Sequence, residues 1–306
     1  MEWIPKKTII IFLSILILIS YLCKDVKEDK KPKQEIYPNT PDIKEFVFGY
    51  QTSEKILNEF KDWEEMSPNL IDVKNYGKNE KYFYIKISNE YNPGQNKILI
   101  TACIHGNEPL STSTVVAYVG KLLSSYKQDE KITEIINESI IYVVPVVSPE
   151  TYPHSRNVGG LDPNRDFPTL KNPDKISVEP VECLKNLFLD IRPHSVLSGH
   201  TFGRVYLMPW GDSTSDNQNL EDYKRIATEM GKLSNYRYQR ACEMYNRPIY
   251  GTEIDWYHRN GSFAMVMEFG THQKKPSLED TKKEFDRTFE AFLYFLEESP
   301  KVEIKN

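Results

Sequence analysis

Cysteine is scarce in this chain of 306 residues. Cys23, Cys103, Cys183 and Cys242 are too few and too scattered for a disulfide framework. Cys103 sits inside an apolar run and reads as a small core residue, while a Cys183 to Cys242 bridge stays open for an exported domain. Also lacking is a basic stripe with interleaved aromatics. The 39 Lys and Arg face 44 Asp and Glu, which argues against nucleic acid as a partner. No internal repeat is present, and no low-complexity break interrupts residues 46–298. Long hydrophobic runs are missing too: Thr8 to Leu22 spans only 15 residues, short of the roughly 20 that cross a bilayer as a helix.

That run follows Lys6 and Lys7 and precedes a dense charged stretch, so residues 1–23 are expected to be a signal or anchor segment. No small-x-small cleavage site follows it. Leu22 stands where a lipoprotein signal has a small residue before its cysteine, which argues against lipidation of Cys23. The lysine pair in a short tail favours export, whereas Lys24, Lys27, Lys30, Lys31 and Lys33 outnumber it and pull the other way under the positive-inside rule. The expectation carried forward is a membrane-anchored or secreted protein whose folded domain lies outside the cytoplasm. Residues 24–45 are rich in Lys, Asp, Glu and Pro and read as a flexible tether, because they cannot bury enough apolar surface to order themselves. With 39% hydrophobic residues the remainder is large enough for a sizeable core, so residues 46–300 are expected to form a single domain, followed by a tail at 301–306.

Within that domain, strand-length runs rich in β-branched and aromatic residues fall at 81–88, 97–104, 139–147, 194–200, 204–209 and 263–270. Between them, apolar residues recur at helical spacing over 110–126, 177–191, 219–234 and 277–299. Strands that are apolar throughout, with helices between them, predict an α/β fold: a central mixed, mostly parallel sheet flanked by helices on both faces. Chemistry in such folds gathers at strand ends.

His105 and Glu108 stand just past one such end, in "ITACIHGNEPL", with Pro109 suited to the first turn of the next helix. An imidazole and a carboxylate three apart in a tight connection can converge on one cation, although His-x-x-Glu also arises by chance in polar loops. Further along, "SRNVGGLDPNRDFP" carries Arg156, Asn164 and Arg165, "VLSGHT" delivers His200 at a strand end, and "YGTEIDWYHRNGSFAMVMEFG" delivers Glu268 near another.

Taken in order, His-x-x-Glu, Asn-Arg, His and Glu, with the local wording "LDPNRDFP", "SGHT" and "IDW", make residues 46–297 resemble the zinc carboxypeptidases of the carboxypeptidase A type. The resemblance implies one Zn2+ per chain held by His105, Glu108 and His200, with an open fourth position. Two His and a Glu are the ligand set known for carboxypeptidase A itself, so this assignment comes from resemblance. It further implies Glu268 as the general base and acid, Arg156 as the group that stabilises an oxyanion, and Asn164 with Arg165 as the pair that grips a terminal carboxylate. The implied partner is a peptide with a free C-terminus. Arg165 locked to Asp162 or Asp166 as an internal brace is the structural alternative. The family's active-site tyrosine has two candidates at imperfect offsets, Tyr245 and Tyr250, and Ile254 falls where relatives set side-chain preference, favouring apolar or aromatic ends. A zinc-dependent deacylase of the aspartoacylase or succinylglutamate desuccinylase kind is the competing reading, since it shares His-Gly-Asn-Glu and an Asn-Arg element.

Overall fold

The computed structural model describes residues 52–272 and 276–305, so the expected anchor, the tether and the first residues of the domain lie outside the described residues. Among the described residues no helix is long and apolar enough to cross a membrane.

Helix α1 (Ser53–Met66) opens the domain, capped by the Thr52 side chain, which accepts the Lys55 N–H. Its buried residues Ile56, Phe60 and Trp63 recur at three- and four-residue spacing, the stripe by which an amphipathic helix packs on a core. Strands β1 (Ile71–Tyr76) and β2 (Tyr82–Ile87) pair antiparallel, with Ile71 opposite Ile87. Next come β3 (Asn96–Ala102), α2 (Pro109–Ser125), α3 (Glu130–Glu138), β4 (Ser139–Val144), α4 (Glu179–Ile191), β5 (Ser195–Thr201) and β6 (Val205–Met208). The chain ends with α5 (Leu220–Ser234), β7 (Arg237–Arg240), α6 (Ala241–Met244), α7 (Glu253–Arg259), β8 (Phe263–Phe269) and α8 (Leu278–Glu298).

Eight strands of the described region form one sheet in the order β1-β2-β4-β3-β5-β8-β6-β7. The β4·β3, β3·β5, β5·β8 and β6·β7 ladders are parallel and the others antiparallel, which bears out the expected mixed, mostly parallel sheet. Alternation along each central strand divides the core in two. Ile98, Ile100, Leu197, Met265 and Met267 face α2, α3, α5 and α8, while Leu99, Val196, Ala264 and Val266 face α4 and α7. Helices on both faces therefore cover β3, β5 and β8, which are apolar on both sides for that reason.

Some elements differ from the sequence expectation. The strand expected over 139–147 stops at Val144, since Pro145 has no N–H for a ladder, although Val147 N–H still reaches the Ala102 carbonyl. Helices α1 and α3 and strands β1 and β7 lie in stretches assigned no element from the sequence. Strands β1 and β7 are edge strands with mostly part-exposed, polar residues, which leaves little hydrophobic pattern to read. The optional bridge is not formed: Cys183 in α4 and Cys242 in α6 are buried free thiols.

Behind β8, the Tyr223 hydroxyl accepts the Ala264 N–H and donates to His258 Nδ1, both at 3.0 Å. Burial pushes His258 down to about 4, with the Arg259 charge acting in the same direction. A folded value below the ordinary 6.5 means that the unfolded chain takes up the proton first. This contribution to stability is present above about pH 6.5 and is lost as pH falls through about 4, by up to ~3 kcal/mol. Thermal unfolding at pH 7.5 and 5 should therefore show a larger drop in Tm for the wild type than for His258→Gln. Equal drops would refute the assignment.

Candidate metal centre

Three strand ends build the site. After β3 the chain turns through His105 to Glu108, and Pro109 opens α2 without needing an N–H partner. Glu108 occupies the N-cap position, yet its carboxylate makes no capping hydrogen bond. It turns instead to the two imidazoles: Oε1 lies 2.9 Å from His105 Nδ1, and Oε2 lies 3.0 Å from His200 Nδ1. Oε2 also accepts the Thr201 N–H at 3.1 Å. His200 is directly opposite Glu268 in the parallel β5·β8 register. Paired residues on neighbouring strands share a face, so both side chains emerge on the α4 and α7 side of the sheet.

Each imidazole is also held from behind. His105 Nε2 lies 3.0 Å from Asp162 Oδ1, and His200 Nε2 lies 2.7 Å from Glu253 Oε1. Both nitrogens of each ring thus face a carboxylate, which can only accept; with a cation held on the Nδ1 side beside Glu108, the proton of the neutral ring belongs on Nε2. Arg156 donates from Nη2 to Asp162 Oδ2 at 3.0 Å and reaches Glu108 Oε1 with Nη1 at 3.4 Å. Burial alone would raise the Glu108 carboxyl, but the charges of His200 and His105 and their hydrogen bonds outweigh it and hold it near 2. At Asp162 burial is likewise outweighed, first by the His105 hydrogen bond and then by the His105, Arg156 and Arg165 charges, so its carboxyl stays well below the usual range. Burial opposes a charged His200, yet Glu108 and Glu253 raise its pKa well above the ordinary value.

These shifts describe a pocket built for positive charge. Glu108, Asp162, Glu253 and Glu268 bring four carboxylates to the two rings, against the guanidinium groups of Arg156 and Arg165. Once the rings are neutral, as metal ligands must be, carboxylates outnumber guanidinium groups in a largely buried space, and a divalent cation offsets the excess. The ligating atoms of His105, Glu108 and His200 all lie within 4.8 Å of one another. Two nitrogens and a carboxylate oxygen suit zinc, and three protein ligands leave a position open.

A cleft of about 210 Å³ opens over this group and brings together Arg156, Asn164, Arg165, Tyr245, Ile254 and Glu268. Glu268 is 7% exposed, and its Oε2 has no hydrogen-bond partner. Burial pushes its carboxyl up to about 7, with the Glu108 charge adding to this and the charges of His200, His105 and Arg156 opposing it. The Asn164 amide has a fixed orientation, because its Oδ1 accepts the Glu253 N–H at 2.9 Å. Its donor Nδ2 therefore faces the His200 side, 3.5 Å from Nε2. Arg165 donates from Nη1 to the Asn164 carbonyl at 2.5 Å and lies 5.6 Å from the Tyr245 ring centre.

Neither acid offered as a brace takes Arg165. Asp162 is committed to Arg156 and His105, and Asp166 accepts the Ser177 and Val178 N–H groups. Tyr250 stands outside the cleft lining, 50% exposed, with Lys171 Nζ 5.8 Å from its ring. The next residue, Gly251, is left-handed at φ +75°, and its carbonyl accepts the Phe167 N–H, which ties this turn to the segment after Arg165. Ile254 joins Leu207, Ile249 and Val266 on the apolar side of the cleft. Sequence reasoning offers Asp162 only as a partner for Arg165 and gives Glu253 no role. An acid at the start of a helix is too common to stand out, and the proximity to His200 comes from residues 53 apart.

Residues 56–275 match the zinc carboxypeptidase family. Carboxypeptidase A4 of Mus musculus is 26% identical over 267 residues, covering 73% of this chain and 63% of the relative. Carboxypeptidase D of Homo sapiens is 28% identical over 136 residues, 42% of this chain and 10% of that much longer protein. The chain thus spans less than two thirds of the length of these relatives. Among solved structures, thrombin activatable fibrinolysis inhibitor superposes with a TM-score of 0.71 at 18% identity, covering 82% of this chain and 76% of that one. Carboxypeptidase A from Helicoverpa armigera gives 0.69 at 14% identity, with 82% and 74% covered. The chain belongs to the zinc carboxypeptidase family, and the His105, Glu108 and His200 group is positioned to bind its metal ion.

Elemental analysis of the purified protein should find close to one zinc per chain, and His105→Ala or His200→Ala should lose most of it. Wild-type zinc content in both variants would remove these residues from the metal site.

Proposed function

We propose that this protein is a zinc-dependent metallocarboxypeptidase that hydrolyses the C-terminal peptide bond of peptides. One observation carries the reading: donors suited to a terminal carboxylate, Asn164 Nδ2 and the Arg165 guanidinium, share a single cleft with the metal-holding trio and the unpartnered carboxylate of Glu268. Zinc bound by His105, Glu108 and His200 would act as a Lewis acid that polarises a carbonyl and lowers the pKa of water.

The chain's own groups carry the remaining steps. Asn164 and Arg165 hold the substrate's free carboxylate, Arg165 by the planar fork that suits such a group. That contact sets the scissile bond one residue in from the chain end. Leu207, Ile249, Ile254 and Val266 receive an apolar or aromatic terminal side chain, and Tyr245 closes the cleft beside Arg165. Glu268 accepts the attacking water's proton and returns it to the leaving amine, a task helped by a carboxyl pushed toward neutral pH. Arg156 donates to the oxyanion that develops on the carbonyl. In this reading one domain over residues 46–300 performs the work, and the apolar run Thr8 to Leu22 supports a location outside the cytoplasm, anchored or released.

The substrate reading is tested by competition among free-ended peptides, the same peptides amidated, and N-acyl amino acids. Amidation should lower kcat/KM by roughly 10- to 100-fold, the scale of losing a charge-assisted pair, and Arg165→Ala should erase the difference between the two ends. Equal cleavage of amidated peptides would remove the carboxypeptidase reading, and a preference for N-acyl amino acids over tripeptides would favour a deacylase.

Placement is tested by protease treatment of intact cells. The domain should be digested without lysis, whereas protection until the membrane is broken would put it inside.

A further inference from the structure

Glu253 takes no part in the proposed reaction. It is fully buried, 0% exposed, at the first position of α7, and it does not cap that helix. A buried carboxylate far from compensating charge is costly, so its placement needs a partner. The contact made by Oε1 is His200 Nε2 at 2.7 Å, shorter than any of the other imidazole to carboxylate contacts in the pocket, while Oε2 has no hydrogen-bond partner. His105 has the same arrangement with Asp162.

We propose that Glu253 is a positioning residue for the metal, which fixes His200 in the tautomer with the proton on Nε2 and so presents the Nδ1 lone pair to zinc. Three consequences follow from geometry. The short bond sets the ring's rotation, because the acceptor sits on rigid helix rather than on a loop. The full negative charge behind the ring makes Nδ1 a stronger donor to a cation, the effect by which such outer carboxylates raise metal affinity. The residue also links the two ends of the cleft, since its side chain holds His200 while its backbone N–H holds the Asn164 amide. The side chain and the backbone of one residue therefore serve different ends, and a side-chain substitution separates them.

This inference rests on the reading of His105, Glu108 and His200 as zinc ligands. Its test is zinc affinity measured at pH 8 against a chromophoric chelator, for the wild type, Glu253→Gln and Glu253→Ala. Gln keeps an acceptor and loses the charge, whereas Ala loses both, so affinity should fall about 10-fold for Gln and further, toward 100-fold, for Ala. The visible spectrum of the cobalt(II) protein should shift in the same order. Discrimination between free and amidated peptides should persist in the Gln variant, because the Glu253 N–H remains. Unfolding of the metal-free variants and the metal-free wild type, measured alongside, reads any change in stability apart from the change in affinity. Zinc affinities and cobalt spectra matching the wild type, in whichever variant folds, would overturn the proposal and leave the enzyme reading intact. So would a lower Tm of the metal-free protein at unchanged affinity, the signature of a merely structural residue. A wild type that takes up no zinc would overturn both.

Discussion

Burying negative charge around two imidazoles is the constraint on which this structure turns. Glu108 and Glu253 lie almost wholly inside the protein, Glu268 is nearly as buried and Asp162 is half-buried, so their solvation is curtailed. Carboxylates in such a place stay ionised only where hydrogen bonds and positive charge are supplied at short range. The neighbourhood shows that supply: Thr201 N–H and Arg156 at Glu108, His105 and Arg156 at Asp162, His200 at Glu253. Glu253 and Glu268 each leave an oxygen unpaired, but Glu253 is bonded to His200 through the other, and Glu268 is the carboxyl pushed up toward 7. The group that the pocket leaves uncommitted is the one best able to exchange a proton.

The sheet is what makes this packing affordable in conformational terms. β3 and β5 lie side by side and parallel, so their C-terminal ends deliver His105 and His200 to the same edge, and β8 adds Glu268 in register with His200. The segment after β4 then folds back over that edge. Ser148 bonds through its N–H to the Cys103 carbonyl and through its hydroxyl to Ile104, tying the start of this loop to the turn that carries His105. Arg156 and Asp162 follow on it, and the short turn Pro163–Arg165, opened by the Asp162 side chain accepting the Asn164 N–H, sets the next two residues into the cleft. Helix α2 gives up a side-chain cap so that Glu108 can face the histidines, and the Ser111 hydroxyl donates to the Glu108 carbonyl.

Much of this was legible in the sequence, for physical reasons. Strands β3, β5 and β8 are buried on both faces and must be apolar throughout, so they stand out, and polar residues at their ends are conspicuous against that background. His105, Glu108, His200 and Glu268 were readable on those grounds, and the ordered resemblance sharpened them. The edge strands β1 and β7 were not, because half-exposed strands carry weak patterns. Asp162 and Glu253 were missed because their roles depend on tertiary proximity: one meets His105 across 57 residues, the other His200 across 53. The two tyrosines could not be separated by spacing alone. In the structure Tyr245 lines the cleft over Arg165, while Tyr250 points toward Lys171.

The proposed function turns on a division of labour in which His105, Glu108 and His200 would hold the metal and Glu268 would move the proton. Glu268→Gln separates these tasks, since it keeps the side chain's shape and removes its basicity. Zinc content and peptide turnover measured on the same preparation give the answer. The account predicts close to one zinc per chain with kcat lowered by roughly 10² to 10⁴. Near-normal turnover by a zinc-loaded, folded Glu268→Gln protein would contradict it.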